Sequence, residues 1–533
     1  MRRLAFGLAL AAFLTSSLVA GHDGGRPGAS ADPAAGRVPA AALSGSSATD
    51  SLVFPRDKYV EETRTVRTSS GERQVTLRAY RHIPYVANPV DTDFQSLNVL
   101  VPIAVDGRPT DASRAPILFT IGVGGYMSSR NAGGGTPGSR MGAPSDGRLG
   151  GPPAGRGTGI PGRAGSVSRN ADLALAAGYV VVLPGCRGRD NRAADGTYYG
   201  KAPAAIVDLK AAVRYVRRNA GIMPGDVEKI VTTGVSAGGA LSALLGASGN
   251  SPVYEPYLRE IGAADAEDAV FASADFCPIM DLEHADMAYE WMYGPVPARS
   301  GPVDQALSKQ LKDEFSAYQA SLKLQGKDGF GTLTADNYAA YLLRTYLIPS
   351  ANRYLNALTE EQRVAYLAKN PWLKWSRGGA SFTFTDYVSH VGRMKGLPAF
   401  DDFDLKQPEP SLFGNRNTPA RHFTDFSLRQ ATGNPAARVD DEVRTLVDLM
   451  NPMHCILQNN PGAAGHWWIR MGTADNHTPL SVIGNLAASL ENRKKDVNVW
   501  LYWDAGHGAD EDAEDFIAWI GTITGLTRGH RAN

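Results

Sequence analysis

Residues 229–250 read KIVTTGVSAGGALSALLGASGN, and within them Gly234-Val235-Ser236-Ala237-Gly238 forms a G-x-S-x-G. The residues ahead of it, 227–233, are largely apolar and β-branched and predict a strand. Those behind it, 237–245, are small, apolar and free of proline, and predict a helix. A serine between a strand and a helix so closely spaced sits on a sharp turn, a nucleophile elbow. Side chains at 234 or 238 would collide with backbone there, which accounts for glycine at both positions. The turn lifts the hydroxyl above the sheet edge, and the helix aims its N-terminal amides at a reacting oxygen. With 58 glycines in 533 residues the bare pattern can arise by chance; the strand before and the helix after give it weight.

Outward from this stretch, the chain is long enough for a large core and two or three domains. Lys+Arg and Asp+Glu both number 54, so no net field argues for nucleic acid or an acidic partner. The three cysteines, Cys186, Cys277 and Cys455, are too few for a disulfide framework, and their spacing matches no zinc site. No metal site and no cofactor is expected. The N-terminus, MRRLAFGLALAAFLTSSLVAGHD, has a charged start, a short apolar run and small residues near residue 21, the pattern of a cleaved secretory signal over 1–21. Its run is short for a spanning helix, so the mature chain is expected to be secreted or periplasmic, with no membrane segment after cleavage.

Residues 22–50 are Ala, Gly, Pro and Ser without periodicity and predict a disordered linker. From 52 to 105, alternation such as Val75, Leu77, Ala79 and Leu97, Val99, Val101, Ile103 predicts antiparallel strands. A buried strand over 115–122 runs into Val123-Gly124-Gly125-Tyr126, a loop placed to supply an oxyanion donor. As a nucleotide loop it fails, because G-x-G-x-x-G would require glycine at Met127. Residues 128–169 are Gly, Pro, Ser and Arg, with six Arg against Asp146 alone, and predict a flexible surface insertion. A helix over 170–177, a strand over 179–184, a helix over 203–218 with Pro203 at its start, and a strand over 268–277 surround the elbow. From 279 to 450 helices alternate with Pro-rich loops and aromatics are dense, which predicts an inserted lid that shapes a substrate pocket. Strands over 466–472 and 497–503, with helices over 479–493 and 513–522, complete the pattern. Strand and helix in alternation give an α/β fold, the α/β-hydrolase fold: a mostly parallel central sheet, helices on both faces and a large lid. Its expected parts are 51–278 and 451–525 for the core, 279–450 for the lid and 526–533 for a tail.

A serine hydroxyl is a poor nucleophile at neutral pH; it needs a base, and the base needs an orienting carboxylate. In this fold the order is Ser, then Asp or Glu, then His, each at a strand's carboxyl end. Asp475 follows the strand over 466–472. His507 follows the strand over 497–503, flanked by Gly506 and Gly508. Asp504 and Asp448 are the alternative carboxylates, and His284, His454, His466 and His477 the rival imidazoles. Asp510-Glu511-Asp512 reads as a solvated helix start. The oxyanion donors expected are the Ala237 amide and one of Gly124 or Gly125.

The texts TTGVSAGGALSALLGASGN, YEPYLREIGAADAEDAVFASADFCPI, GRMKGLPAFDDFD, QPEPSLFGN, WWIRMGTAD and DAGHG resemble bacterial tannases, from about residue 52 onward except in the insertion. The resemblance implies a serine ester hydrolase that cleaves galloyl esters through Ser236, Asp475 and His507. It further implies that Lys395 and Glu409 hold phenolic hydroxyls. The family's third phenol-holding residue, an Asp two places past the catalytic Asp, is His477 here. An imidazole accepts a phenol proton without adding negative charge, so a feruloyl or hydroxybenzoyl ester also suits the pocket. The expected partner is a small phenolic ester. A secreted peptidase or acyl-transferase on the same triad, and a non-catalytic binding protein of this fold, are the competing classes; the sequence does not fix the oligomeric state.

Overall fold

The computed structural model describes residues 52–131, 165–298 and 301–526. The expected signal, the whole linker, the bulk of the 128–169 insertion and nearly all of the tail lie outside the described residues. Ser47–Asn533 forms one compact unit, and the helices between 279 and 450 pack into the same apolar core as the sheet.

Strands rich in Val, Ile and Leu build a ten-stranded sheet. In chain order its main strands are β1 (Val60–Thr68), β2 (Gly71–Pro84), β3 (Ser96–Val105), β4 (Ile117–Ile121), β5 (Val180–Pro184), β6 (Ile230–Val235), β7 (Ala272–Phe276), β8 (His466–Gly472) and β9 (Asp496–Tyr502). Across the sheet they run β1-β2-β3-β5-β4-β6-β7-β8-β9, and a two-residue strand, Arg108–Pro109, hangs on β3. β1, β2, β3 and β5 pair antiparallel; from β5 to β9 every pairing is parallel. β4, β5 and β7 are buried at every residue, as strands covered on both faces must be. Ile117, Phe119 and Ile121 join one core and Leu118 the other, the two-residue alternation of a pleated strand. The elbow helix Ala237–Ala247 and helices Ala204–Arg218 and Leu480–Asn492 cover the first face; Gly165–Ala176 and Ala513–Ile523 cover the second.

Most predicted elements agree within a few residues, and the differences have local causes. The helix expected at 170 begins at Gly165, because nothing from 165 to 169 breaks it. At the other end of the insertion Ser129 bridges to Cys186. Within 279–450, helix Ala335–Leu342 is followed by a π-type turn, Leu343–Leu347, and a further helix, Ile348–Ala357. The acidic run 510–512 is only partly solvated: Glu511 is exposed as expected, whereas Asp512 accepts from Arg470 Nε at 2.8 Å and also from the Tyr502 hydroxyl. All three cysteines are buried, and among the described residues none forms a disulfide. No helix among the described residues is long and apolar enough to cross a membrane.

Candidate active site

Register brings the carboxyl ends of five strands together. Ile121 lies beside Gly234, Val235 beside Phe276, Phe276 beside Arg470, and Gly472 beside Tyr502. The loops after β4, β6, β7, β8 and β9 therefore open on one edge, where sheets of this kind place their chemistry.

Ser236 stands there with φ 62° and ψ −123°, outside the regions an L-residue prefers. Neighbouring backbone holds it: Ser236 N–H donates to Phe276 O at 3.0 Å, and Ser236 O accepts from Ala240 N–H and Ile279 N–H. The glycines are there for clearance. A Cβ at Gly234 would meet Gly238 O at 2.3 Å, and one at Gly238 would meet Ile121 O and Val123 O at 2.9 Å. Ala237 opens the helix, so its amide is one that no preceding turn can satisfy.

The loop after β4 faces the elbow. Gly238 N–H donates to Val123 O at 3.0 Å. Gly125 and Tyr126 are both left-handed, and a Cβ at Gly124 or Gly125 would meet nothing within 4 Å. Two anchors fix the loop: the Tyr126 hydroxyl donates to Ile279 O at 2.7 Å, and Arg189 Nε donates to Gly125 O at 2.7 Å.

Asp475 and His507 meet across the next two loops. His507 Nδ1 and Asp475 Oδ2 are 2.7 Å apart, and Asp475 Oδ1 accepts the His477 amide at 2.9 Å. The pair places a proton on Nδ1 and leaves Nε2 as the basic atom. Nε2 lies 4.0 Å from Cys277 Sγ. The rivals are occupied elsewhere. Asp504 binds His390 and the Tyr366 hydroxyl; Asp448 pairs with His454. His284 and His454 serve a separate cluster with Asp281 and Glu283, and His466 pairs with Asp496. His477 stacks on His507, ring centroids 4.3 Å apart.

Lys395 and Glu409 come in from the segment between 279 and 450. Lys395 Nζ sits 3.4 Å from the Phe400 ring centroid. Burial pulls its pKa down, and Glu409, Asp286 and Asp475 push it back up. Among the described residues Nζ has no ion pair within 4.0 Å. Glu409 is 5 % exposed, and its Oε2 is buried without a partner. A cation and a carboxylate are thus close enough to feel each other yet not joined, which leaves both able to bind hydroxyls set between them.

Helix Leu282–Tyr293 holds this arrangement, and sequence reasoning missed it. Tyr289 Oη accepts the amides of Met394 and Lys395 and donates to Asn476 O at 3.1 Å, so it joins the Lys395 loop to the Asp475 loop. Glu290 and Arg393 form an ion pair with both side chains fully buried. Arg393 also donates to the carbonyls of Lys395 and Gly396. Asp286 accepts the Phe400 and Asp401 amides. Apart from the Arg393 bonds to Lys395 and Gly396, these contacts join residues more than a hundred positions apart, and no local pattern announces them.

Comparison with known proteins places the fold among known hydrolases. The family model BD-FAE matches residues 166–322. Esterase LipQ of Mycobacterium tuberculosis is 40 % identical over 90 residues, 17 % of this chain and 20 % of that protein, so the match spans about a fifth of the relative's length. Among solved structures, a tannin acyl hydrolase in complex with ethyl gallate is 35 % identical, with TM-score 0.74 over 90 % of this chain and all of that one. The chain belongs to the tannase family. Another tannin acyl hydrolase structure, in complex with 3,4-dihydroxybenzoate, matches at 36 % identity and TM-score 0.75, over 90 % of this chain and all of that one. Fusobacterium nucleatum tannase matches at 35 % and 0.73, over 89 % of this chain and 99 % of its own. As a tannase relative on an α/β-hydrolase fold, the protein is a carboxylic ester hydrolase.

Proposed function

We propose that the protein hydrolyses esters of hydroxylated benzoic acids, galloyl or dihydroxybenzoyl, through an acyl-enzyme on Ser236. The observation that carries this reading is the 2.7 Å His507–Asp475 bond on the same strand-end edge as the left-handed Ser236, with Lys395 near Glu409 but not paired to it. Ser236 Oγ attacks the ester carbonyl while His507 Nε2 takes its proton. Asp475 keeps the imidazole oriented and stabilises the imidazolium. The Ala237 amide and an amide of Gly124 or Gly125 receive the oxyanion. His507 returns the proton to the leaving alcohol, and water then repeats the sequence on the acyl-enzyme. Lys395 and Glu409 hydrogen-bond the phenolic hydroxyls, while His477 stacks on the His507 ring. Structures of tannin acyl hydrolases with ethyl gallate and 3,4-dihydroxybenzoate support this substrate class. The N-terminal pattern supports export, which sequencing the N-terminus of mature protein checks.

A panel of methyl gallate, methyl 3,4-dihydroxybenzoate, methyl ferulate, methyl benzoate and a peptide p-nitroanilide tests the specificity. The first two are expected to have the highest kcat/KM. Faster cleavage of benzoate or the anilide would overturn it. A fluorophosphonate should label Ser236 and no other residue.

A further inference from the structure

Among the described residues, one group at the site has no part in the mechanism above: the thiol of Cys277. β7 ends at Phe276, and Cys277 turns into the left-handed region at φ 38°, its N–H donating to Arg470 O at 2.6 Å. The residue is 1 % exposed. Its sulfur lies 4.0 Å from His507 Nε2, and ligand-type atoms of Cys277, Asp475 and His507 all lie within 4.8 Å of one another.

The donor chemistry is specific. The Nδ1 bond to Asp475 puts the ring proton on that side and leaves the Nε2 lone pair facing the thiol. A carboxylate behind a histidine is also the arrangement that orients and strengthens a metal-ligating imidazole. Zinc bonds of about 2.3 Å to sulfur and about 2.0 Å to nitrogen place tetrahedral S and N donors about 3.5 Å apart. Sulfur and nitrogen here need approach by only roughly half an ångström to reach that separation. One thiolate and one imidazole favour soft or borderline ions and discriminate against Ca²⁺ and Mg²⁺.

We propose that Cys277 and His507 form a site for a thiophilic divalent ion, Zn²⁺ or Cd²⁺, and that occupancy reversibly shuts off the esterase. The Cys277 S–H bond breaks, its proton goes to solvent, and the thiolate binds the ion; Nε2 supplies its lone pair. No electron is transferred. With Nε2 coordinated, His507 accepts no proton from Ser236. The binding half needs only the geometry; the inhibition half rests on His507 being the base.

Cd²⁺ titration followed by ultraviolet thiolate-to-metal charge-transfer absorption reads binding without reference to activity. The wild type, Cys186→Ala and Cys455→Ala should each show one saturable equivalent, and Cys277→Ala and Cys277→Ser should not. In parallel, Zn²⁺ should inhibit ester hydrolysis, EDTA should restore it, and Cys277→Ala should raise the half-inhibitory concentration at least tenfold with basal activity retained. Circular dichroism verifies that both Cys277 variants fold, with the serine form as the conservative control. A charge-transfer band that persists in both folded Cys277 variants, or is missing from the wild type, overturns the site. Binding without inhibition overturns the switch. Should Ser236→Ala keep its activity, the catalytic reading falls while the charge-transfer result still stands or falls alone.

Discussion

Ser236 combines a conformation that costs free energy with a position where five strand ends converge, and strain of this sort persists only where surrounding structure enforces it. Ser236→Ala should lower kcat on the order of a million-fold with little change in melting temperature, since a triad acts as a unit; steady-state kinetics and calorimetry check both halves. Lys395 answers to a different measurement. Lys395→Ala should raise KM for methyl 3,4-dihydroxybenzoate about tenfold while leaving methyl benzoate nearly unchanged, because only the first substrate offers hydroxyls to pair. Equal effects on both substrates would remove Lys395 from the pocket. Gly234→Ala drives a Cβ into Gly238 O at 2.3 Å. It should cost about 3 kcal/mol in denaturant unfolding and abolish activity, as backbone in a packed turn has nowhere to move.

Helix Leu282–Tyr293 shows how one element organises a site it does not itself enter. Its side chains at 286, 289 and 290 clamp the loop that carries Lys395. Glu290→Gln leaves the Arg393 guanidinium buried against a neutral partner, and should destabilise the fold by about 3–5 kcal/mol. Replacing the pair by Glu290→Leu with Arg393→Met should cost much less, because an apolar pair carries no desolvation penalty. The double variant should still show a raised KM for phenolic esters, since the grips on the Lys395 and Gly396 carbonyls are gone. Chemical denaturation and kinetics on both variants separate the two effects. The elbow strand and helix were readable from local pattern; this clamp was not, because its value lies in contacts between distant segments.

For the molecule as a whole, buried carboxyls set the pH response. Asp275 lies in β7 beside Gly234, accepts from Ser273 Oγ at 2.7 Å and has its other oxygen buried without a partner. Burial pushes its pKa up to about 7, above an unfolded value of about 3.9. A carboxyl raised on folding contributes fully below the unfolded value, and that contribution is lost as pH rises through about 7. Asp268, Asp281 and Glu283 are held below their ordinary values by cationic or hydrogen-bonding partners, so their contribution is lost as pH falls through the folded values. Stability should therefore peak in mildly acid solution. Asp275→Asn should flatten the decline between pH 5 and pH 8, each taken as approximate, in urea titrations.

The α/β pattern, the turn at Ser236 and the strand-end positions of Asp475 and His507 were legible because each is announced locally: an apolar strand, a turn of small residues, a polar residue at the strand's end. Such signals arise from backbone sterics and burial, which act over a few residues. The choice of Asp475 over Asp504 came from the packing of Tyr366 and His390 against Asp504. Distant packing likewise decided the bond of Asp512 to Arg470, the clamp on Lys395, and the meeting of Cys277 with His507. Those outcomes depend on which distant side chains share a small volume once ten strands are in order, and nothing within a short window of the chain encodes that.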